Sequence, residues 1–220
     1  MRSPLLFLVS ALILLVSTLA SAQSDPQAKK DLQALRANYD SGKNLQADVA
    51  LEIKFAEQPA EVQAGRIEQS GERYRVEFDR QVVISDGVTV WMYLPDNQEV
   101  QVYDAADGAS SGGFMRPQDF LTIYDNEDFE YAIVGEVTEA SKTYRQIEFK
   151  PLDRDSEYAK VRLTYDPAAS AVRRVKVFNK DGSRFTLSLN EVRTGVDFAN
   201  ERFAFREADY PGVMVEDMRL

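Results

Sequence analysis

The sequence predicts a mainly β fold, an antiparallel sheet that curls, preceded by one amphipathic helix. Short segments with an apolar residue at every second position recur along most of the chain, and turn signals such as "YDPAAS" and "NKDGS" separate them. One stretch near the N-terminus has helical spacing instead. We count roughly ten short strands, a number typical of a sheet that curls. With 220 residues, 44% of them apolar, the chain can bury a sizeable core, so we expect a single domain over residues 23–220.

The first element is predicted to be a helix. Ser24-Asp25-Pro26 supplies a capping residue followed by proline in the first turn. Apolar side chains then recur at helical spacing until Gly42 ends the pattern, at Ala28, Leu32, Leu35 and Tyr39. The helix should therefore bury one face.

Beyond Gly42 the apolar period changes from helical spacing to two, which is typical of strands with one wet face. The first strand alternates at Leu45, Ala47, Val49, Leu51, Ile53 and Phe55. The same alternation returns at Tyr74/Val76/Phe78, Phe129/Tyr131/Ile133, Ile147/Phe149, Val161/Leu163/Tyr165, Val175/Val177 and Phe185/Leu187/Leu189. A last strand is predicted around Phe203 and Phe205.

The stretch "VVISDGVTVWMYLP", residues 82–95, predicts a β-hairpin. Asp86-Gly87 between two β-branched runs favours a two-residue type I′ turn, with Ser85 opposite Val88. One face then carries Val83, Val88, Val90, Met92 and Leu94, and the other carries Val82, Ile84, Trp91 and Tyr93. Because both faces are apolar, we expect both to be covered.

The composition argues against an enzyme and against nucleic acid as a partner. The chain has no His and no Cys, which removes the usual neutral-pH base, the thiolate nucleophile, most transition-metal sites and any disulfide. We therefore predict no catalytic residue, cofactor or metal. A carboxylate pair in "YDNEDFE" and "YDAAD" would suit glycoside hydrolysis, but acidic loop residues of this kind are typically just solvated. The net charge of −10, with scattered basic residues, indicates no nucleic-acid surface.

Residues 1–22 are predicted to be a secretory signal peptide. Arg2 precedes an apolar run from Leu5 to Val16, and the small-residue site Ala20-Ser21-Ala22 comes before Gln23. A membrane anchor is the alternative, but the apolar run is shorter than the ~20 residues that a span needs. We expect the mature chain to begin at Gln23 and to be a soluble periplasmic monomer.

One segment departs from the strand pattern. Residues 104–113 are rich in Gly and Ser, and a short helical pattern follows Pro117. This pattern predicts a mobile flap with a helical end, in which the apolar side chains are Phe114, Met115, Phe120 and Leu121.

The extended hairpin "VVISDGVTVWMYLPDNQEVQVY" closely resembles the signature hairpin of the periplasmic outer-membrane lipoprotein carrier family, the LolA type. The resemblance continues in order through the N-terminal helix, "LQADVALEIKF", "AGRIEQSGERYRVEF", "FMRPQDFLTIYDNEDFEYAIV" and "ERFAFREADYPGVMV". It implies an incompletely closed antiparallel β-barrel, covered by the N-terminal helix and a short helical lid. Its cavity would hold the acyl chains of lipoproteins that cross from the inner to the outer membrane.

The resemblance also implies partners and a binding site. The partners are acylated lipoproteins, an inner-membrane releasing complex and an outer-membrane acceptor. The alternative is a periplasmic lipid-binding sensor or interaction module of the same fold. We predict that the acyl-chain cavity and its lid are formed by Val49, Leu51, Ile53, Tyr74, Val76, Phe78, Val90, Trp91, Met92, Tyr93, Phe114, Met115, Phe120 and Leu121.

One departure from the family pattern concerns a latch. Members often carry an Arg-Pro pair in the strand before the hairpin, where the arginine holds the closed lid. Here the matching stretch reads "EQSGERYRV", without that pair. Arg73 and Arg75 are the nearest arginines, and alternation predicts that they point away from the face that Tyr74 shares.

Overall fold

The structure, a computed structural model, describes residues 25–40, 44–106 and 128–219. Helix α1 (Pro26–Tyr39) begins as the sequence predicts. The Asp25 side chain caps it, accepting hydrogen bonds from the backbone N–H groups of Gln27 at 2.8 Å and Ala28 at 3.3 Å. The predicted apolar face is confirmed, since Ala28, Leu32 and Leu35 are fully buried.

The described residues form twelve strands rather than the ten predicted. They are β1 (Leu45–Lys54), β2 (Glu61–Ser70), β3 (Arg73–Phe78), β4 (Gln81–Ser85), β5 (Thr89–Leu94), β6 (Glu99–Asp104), β7 (Phe129–Glu139), β8 (Lys142–Pro151), β9 (Tyr158–Asp166), β10 (Ala171–Asn179), β11 (Arg184–Thr194) and β12 (Met214–Asp217).

All twelve strands belong to one sheet, in the order β12-β6-β5-β4-β3-β2-β1-β11-β10-β9-β8-β7. Neighbours pair antiparallel, except that β12 runs parallel to β6. The edge strands β7 and β12 do not pair with each other within the described ranges, so the sheet is not closed into a barrel. The predicted class, mainly β with one helix over an incompletely closed sheet, is confirmed.

We call the sheet face that carries α1 the inner face, and the opposite face the outer face. Inner-face side chains pack with α1 into the main hydrophobic core. Three cross-strand rows on this face are apolar throughout. The first holds Ile133, Ile147, Leu163, Val175, Leu187 and Leu51; the second Tyr131, Phe149, Val161, Val177, Phe185 and Ile53; the third Ala47, Ile67, Val76, Val83 and Met92.

Helix α1 is tied to the sheet at three points along its length. At its start, the Asp25 side chain accepts a hydrogen bond from the Ile133 backbone N–H of β7 at 3.2 Å. In its middle, Asp31 Oδ2 accepts hydrogen bonds from Arg145 Nη1 at 2.8 Å and from the Tyr165 hydroxyl at 2.5 Å. Near its end, Asn38 Nδ2 donates to a backbone carbonyl in the β9–β10 turn at 3.0 Å. The helix therefore crosses the strands from β7 to β10.

The predicted hairpin forms, but its strand register is shifted by two residues from the prediction and its loop is longer. Ser85 pairs with Val90, and the loop between them holds four residues rather than two. Asp86 Oδ1 accepts hydrogen bonds from the backbone N–H groups of Val88 and Thr89, and Gly87 has a positive φ of 95°. This side-chain cap replaces the type I′ turn and leaves Val88 73% exposed. Because the shift is even, the other residues keep their predicted faces.

The predicted last strand around Phe203 and Phe205 is wrong. A 3-10 helix occupies Asn200–Phe203, and a second occupies Glu207–Asp209. The Phe203 side chain is buried against the outer face of the sheet, with the Arg73 guanidinium 5.3 Å from its ring centroid. The two phenylalanines thus cover a sheet face instead of joining a sheet edge. We call residues 196–213, which follow β11, the C-terminal segment.

Candidate functional site

The candidate site is the inner face of the sheet beyond the reach of α1. The 14 residues of α1 give a length of about 21 Å, and strands lie about 4.8 Å apart, so the helix spans about four of the twelve strands. The inner face nevertheless stays apolar into β5. An apolar face this wide is more than α1 alone can cover, although most of its side chains are buried in the core.

Eight of the fourteen predicted site residues lie on this inner face. The structure buries six of them, namely Val49, Tyr74, Val76, Phe78, Val90 and Met92. Leu51 is half-buried and packs against the core, and Ile53 is half-buried beside Phe185 of β11. We call these eight residues the inner apolar surface. The structure brings them together on β1, β3 and β5.

A glycine shapes the middle of this surface. Gly65 of β2 pairs with Phe78 of β3, and the Phe78 ring lies directly over the glycine. A Cβ atom at Gly65 would lie 2.4 Å from Phe78 Cδ1 and 2.5 Å from the backbone carbonyl oxygen of Glu77. The ring can therefore lie flat on the sheet only because residue 65 has no side chain.

Trp91 and Tyr93, two further predicted site residues, do not belong to the inner apolar surface. They lie on the outer face, where Trp91 stacks on Phe205 at 6.2 Å between ring centroids and Tyr93 contacts Tyr210 at 4.7 Å. Alternation within β5 sends them to the face opposite Val90 and Met92. The C-terminal segment therefore packs on the second apolar face of the hairpin.

Four predicted site residues, Phe114, Met115, Phe120 and Leu121, lie outside the described residues, as do the predicted helical lid and the signal peptide. The two arginines nearest to the absent Arg-Pro pair are described. Arg73 and Arg75 point outward as predicted, and both contact the C-terminal segment. Arg73 Nη1 donates to Asn200 Oδ1 at 2.9 Å, and Arg75 Nη2 donates to the Tyr210 hydroxyl at 3.3 Å.

An ion-pair network fixes the C-terminal segment to the outer face, and sequence reasoning missed it. Arg202 donates to Glu68 of β2 and, at 3.1 Å, to Glu77 of β3. Burial alone would raise the pKa of Glu77, but Arg75 and Arg202 outweigh it and hold that pKa below its usual range. Glu68 is only 4% exposed, and Arg202 pairs with it there. The sequence around Glu68 does not indicate that this side chain is buried or that it pairs with an arginine distant in the chain.

A cavity of about 440 Å³ lies where α1 ends, and it was also missed. Its apolar walls come from the ends of three separate elements, as Tyr39 on α1, Leu45 on β1 and Val172 on β10. Burial raises the pKa of Tyr39, whose hydroxyl stays protonated. Tyr39 and Leu45 fit the apolar periods of their own elements, whereas Val172 precedes a register shift in β10 and falls outside the alternation of Val175 and Val177. Only the sheet order shows that they meet.

Two further properties bear on chemistry. The described ranges contain no group of three or more acidic side chains placed to hold a metal ion. Within the same ranges, the helix is neither long nor apolar enough to cross a membrane.

Known proteins resemble this chain in sequence or in structure. A curated outer-membrane lipoprotein carrier protein from Shewanella frigidimarina is 22% identical over 94% of each chain. An uncharacterised conserved protein from Thermus thermophilus has a solved structure that matches 87% of this chain and 99% of its own, with a TM-score of 0.57 and 13% identity. A LolA superfamily protein from Nitrosomonas europaea matches 81% of this chain and 97% of its own, with a TM-score of 0.43 and 13% identity.

The family comparison covers the middle and the end of the chain. The model of the family described as outer membrane lipoprotein carrier protein LolA matches residues 69–206. The matched stretch runs from the end of β2, through the hairpin, to the buried Phe203 and the start of the C-terminal segment. The chain therefore belongs to the LolA family of outer membrane lipoprotein carrier proteins.

Proposed function

We propose that this chain is a periplasmic carrier that shields the acyl chains of lipoproteins against its inner apolar surface and moves them from the inner to the outer membrane. The observation that carries this proposal is the width of the apolar inner face, which extends into β5 while α1 is tied over β7–β10. An acyl chain is long, flexible and apolar. A wide apolar face therefore suits an acyl chain better than a compact pocket would.

The free energy of lipid transfer explains why such a carrier is needed. Each CH₂ group gains about 0.8 kcal/mol on leaving water, so an acylated protein does not cross an aqueous space without a shield. Release must also remain possible, and the flexible Met92 on this surface can repack around different chains. Family membership supports carriage rather than catalysis, and we propose no enzymatic activity.

We infer that residues 1–22 are a signal peptide and that the protein works in the periplasm as a soluble monomer. Its proposed partners are acylated lipoproteins, an inner-membrane releasing complex and an outer-membrane acceptor. The family description and the curated relative support this inference.

The test is binding of a labelled triacylated lipopeptide, with the same peptide lacking acyl chains as the first control. Leu51→Gln places an amide on the inner apolar surface, whereas Ala50→Gln makes a matched change on the outer face of the same strand. The inner change should weaken the binding free energy by on the order of 1–2 kcal/mol through lost apolar contact, which is about a tenfold loss of affinity. Fluorescence anisotropy measures the affinity, and thermal melts confirm that both variants fold.

Two results contradict the proposal. If Ala50→Gln weakens binding as much as Leu51→Gln, the acyl chains do not lie on the inner face. If the unacylated peptide binds as tightly as the lipopeptide, the protein recognises peptide, and the reading as an interaction module of the same fold replaces carriage.

A further inference from the structure

Four cations surround a single aromatic ring on the outer face of the sheet. The Phe178 ring on β10 has Lys160 Nζ, Arg162 Cζ, Lys176 Nζ and Arg184 Cζ at 5.1, 5.6, 5.3 and 5.8 Å from its centroid. We call these four cations the basic patch. They come from the adjacent strands β9, β10 and β11. A chain with a net charge of −10 thus concentrates positive charge in one place.

One carboxylate pairs with two of the four cations of the basic patch. Glu148 of β8 pairs with Lys160 at 3.0 Å and with Arg162 at 2.7 Å. Burial alone would raise the pKa of Glu148, but the two cations outweigh it and hold that pKa below its usual range. Within the described part of the chain, neither Lys176 nor Arg184 forms an ion pair with a carboxylate. Their charges remain available to a partner.

A depression of about 400 Å³ adjoins the patch on the same face. Arg162 and Lys176 line it, together with the hydroxyl groups of Thr164, Thr186 and Ser188. The Thr186 hydroxyl oxygen is buried and has no hydrogen-bond partner among the described residues. One carboxylate, Glu52, also lines the depression and opposes an anion at that end. The surface therefore offers mostly donors and positive charge.

We propose that the basic patch and its depression form a docking surface for an acidic segment of a partner protein. Carboxylate side chains of such a segment would pair with Lys176 and Arg184, and its apolar residues would contact the Phe178 ring. An anionic membrane fits less well, because the surface is a hollow rather than a flat plane.

The position of this surface separates docking from cargo binding. The patch lies on the outer face, and the inner apolar surface lies on the other side of the same sheet. A partner can therefore hold the protein by the patch while the inner apolar surface is occupied or empty. The inference does not depend on what the inner face binds.

The test uses a short fluorescein-labelled oligoglutamate peptide at low salt. The variant Lys176→Glu with Arg184→Glu reverses the two unpaired charges. The matched control, Lys29→Glu with Lys30→Glu, makes the same change of net charge on the exposed side of α1. We expect the patch variant to lose affinity about tenfold or more and the control to lose little, and we expect wild-type binding to weaken as salt is raised.

Three outcomes overturn the docking surface: no peptide binding by the wild type at low salt, equal losses in patch and control variants, and patch-dependent binding to phosphatidylglycerol vesicles that exceeds peptide binding. If the charge reversal prevents folding, Lys176→Gln with Arg184→Gln is compared with Lys29→Gln and Lys30→Gln instead. Lipopeptide affinity is measured on the same variants, and we expect it to be unchanged. Failure of docking is thereby distinguished from failure of acyl binding.

Discussion

Gly65 and Phe78 show how one residue shapes the inner apolar surface. The aromatic ring occupies the space that any side chain at position 65 would need, and backbone atoms close the other side. The neighbouring strand cannot move away without breaking its pairing with β2. Glycine is therefore required here for close contact, and not for an unusual backbone angle.

We predict that Gly65→Ala lowers the free energy of unfolding by about 1–3 kcal/mol, because the new methyl group displaces the Phe78 ring and pushes against the Glu77 carbonyl. Denaturant unfolding measures this change. Ala64→Ser, on the exposed outer side of the same strand, should stay within about 0.5 kcal/mol of wild type. In a Phe78→Leu background the cost of Gly65→Ala should shrink. An unchanged cost would mean that the ring is not what excludes a side chain.

Alternation in the sequence was sufficient to place individual residues on a face, but not to say what covers that face. It put Val90 and Met92 opposite Trp91 and Tyr93, as the structure confirms. Both sets are apolar, and the side chains that cover the outer set, Phe205 and Tyr210, lie more than a hundred residues away. Periodicity is a local property, so it cannot reveal a cover that arrives from elsewhere in the chain.

At the scale of elements, α1 is held by polar contacts as well as by its apolar face. Asp31 sits at the middle of the helix, and its side chain is 16% exposed. Burial alone would raise the pKa of Asp31, but the hydrogen bonds from Tyr165 and Arg145 outweigh it and hold that pKa below its usual range. The helix period predicted the buried apolar residues. It did not indicate that Asp31 would be bonded to the sheet, because the partners of Asp31 lie on β8 and β9.

The lowered pKa of Asp31 predicts a pH dependence. A carboxyl group with a lower pKa in the folded state stabilises the fold above its unfolded pKa, and this contribution is lost as the pH falls through the folded value, below about pH 4. Asp31→Asn should therefore cost about 1–3 kcal/mol near neutral pH, and the difference from wild type should shrink in acid.

Urea unfolding at several pH values measures this difference. Asp40→Asn removes an exposed pair with Arg36 on the same helix and should change stability by less than about 0.5 kcal/mol. A cost of Asp31→Asn that is equally large at all pH values would show that lost packing, and not the ionised carboxylate, is responsible.

At the scale of the whole molecule, the outer face is divided into two regions. The C-terminal segment covers the region over β2–β5, where Arg202 joins Glu68 and Glu77 and where Trp91 stacks on Phe205. The region over β9–β11 carries the basic patch instead. The sequence showed only scattered basic residues, because the cations of the patch are spread over residues 160–184 on three strands and meet only through strand pairing.

We predict that Arg202→Gln loosens the C-terminal segment. The change leaves Glu68 buried without its cation, and because Arg202 is about one-third exposed we expect a loss of about 1–3 kcal/mol. Trp91 is the single tryptophan, so its emission should shift to the red as Phe205 leaves it. Arg206→Gln, which removes an exposed pair in the same segment, should leave both stability and emission nearly unchanged.

The position of Trp91 also predicts how its emission responds to lipopeptide. Because Trp91 lies on the outer face, its emission in the wild type should stay constant when lipopeptide saturates the inner apolar surface. A large emission change on lipopeptide binding would place the ligand beneath the C-terminal segment instead.

The sheet order also has a consequence for the growing chain. Strands β1 to β6 and strands β7 to β11 each pair mostly with their neighbours in sequence, and the pairing of β1 with β11 joins the two groups. During synthesis β1 therefore waits as an open edge until residues 184–194 have been made. Edge strands are protected from wrong pairing by charged side chains, and β1 carries Asp48, Glu52 and Lys54 on its outer side. Strand β1, which is central in the folded sheet, thus carries the charges that protect an exposed edge strand in the nascent chain.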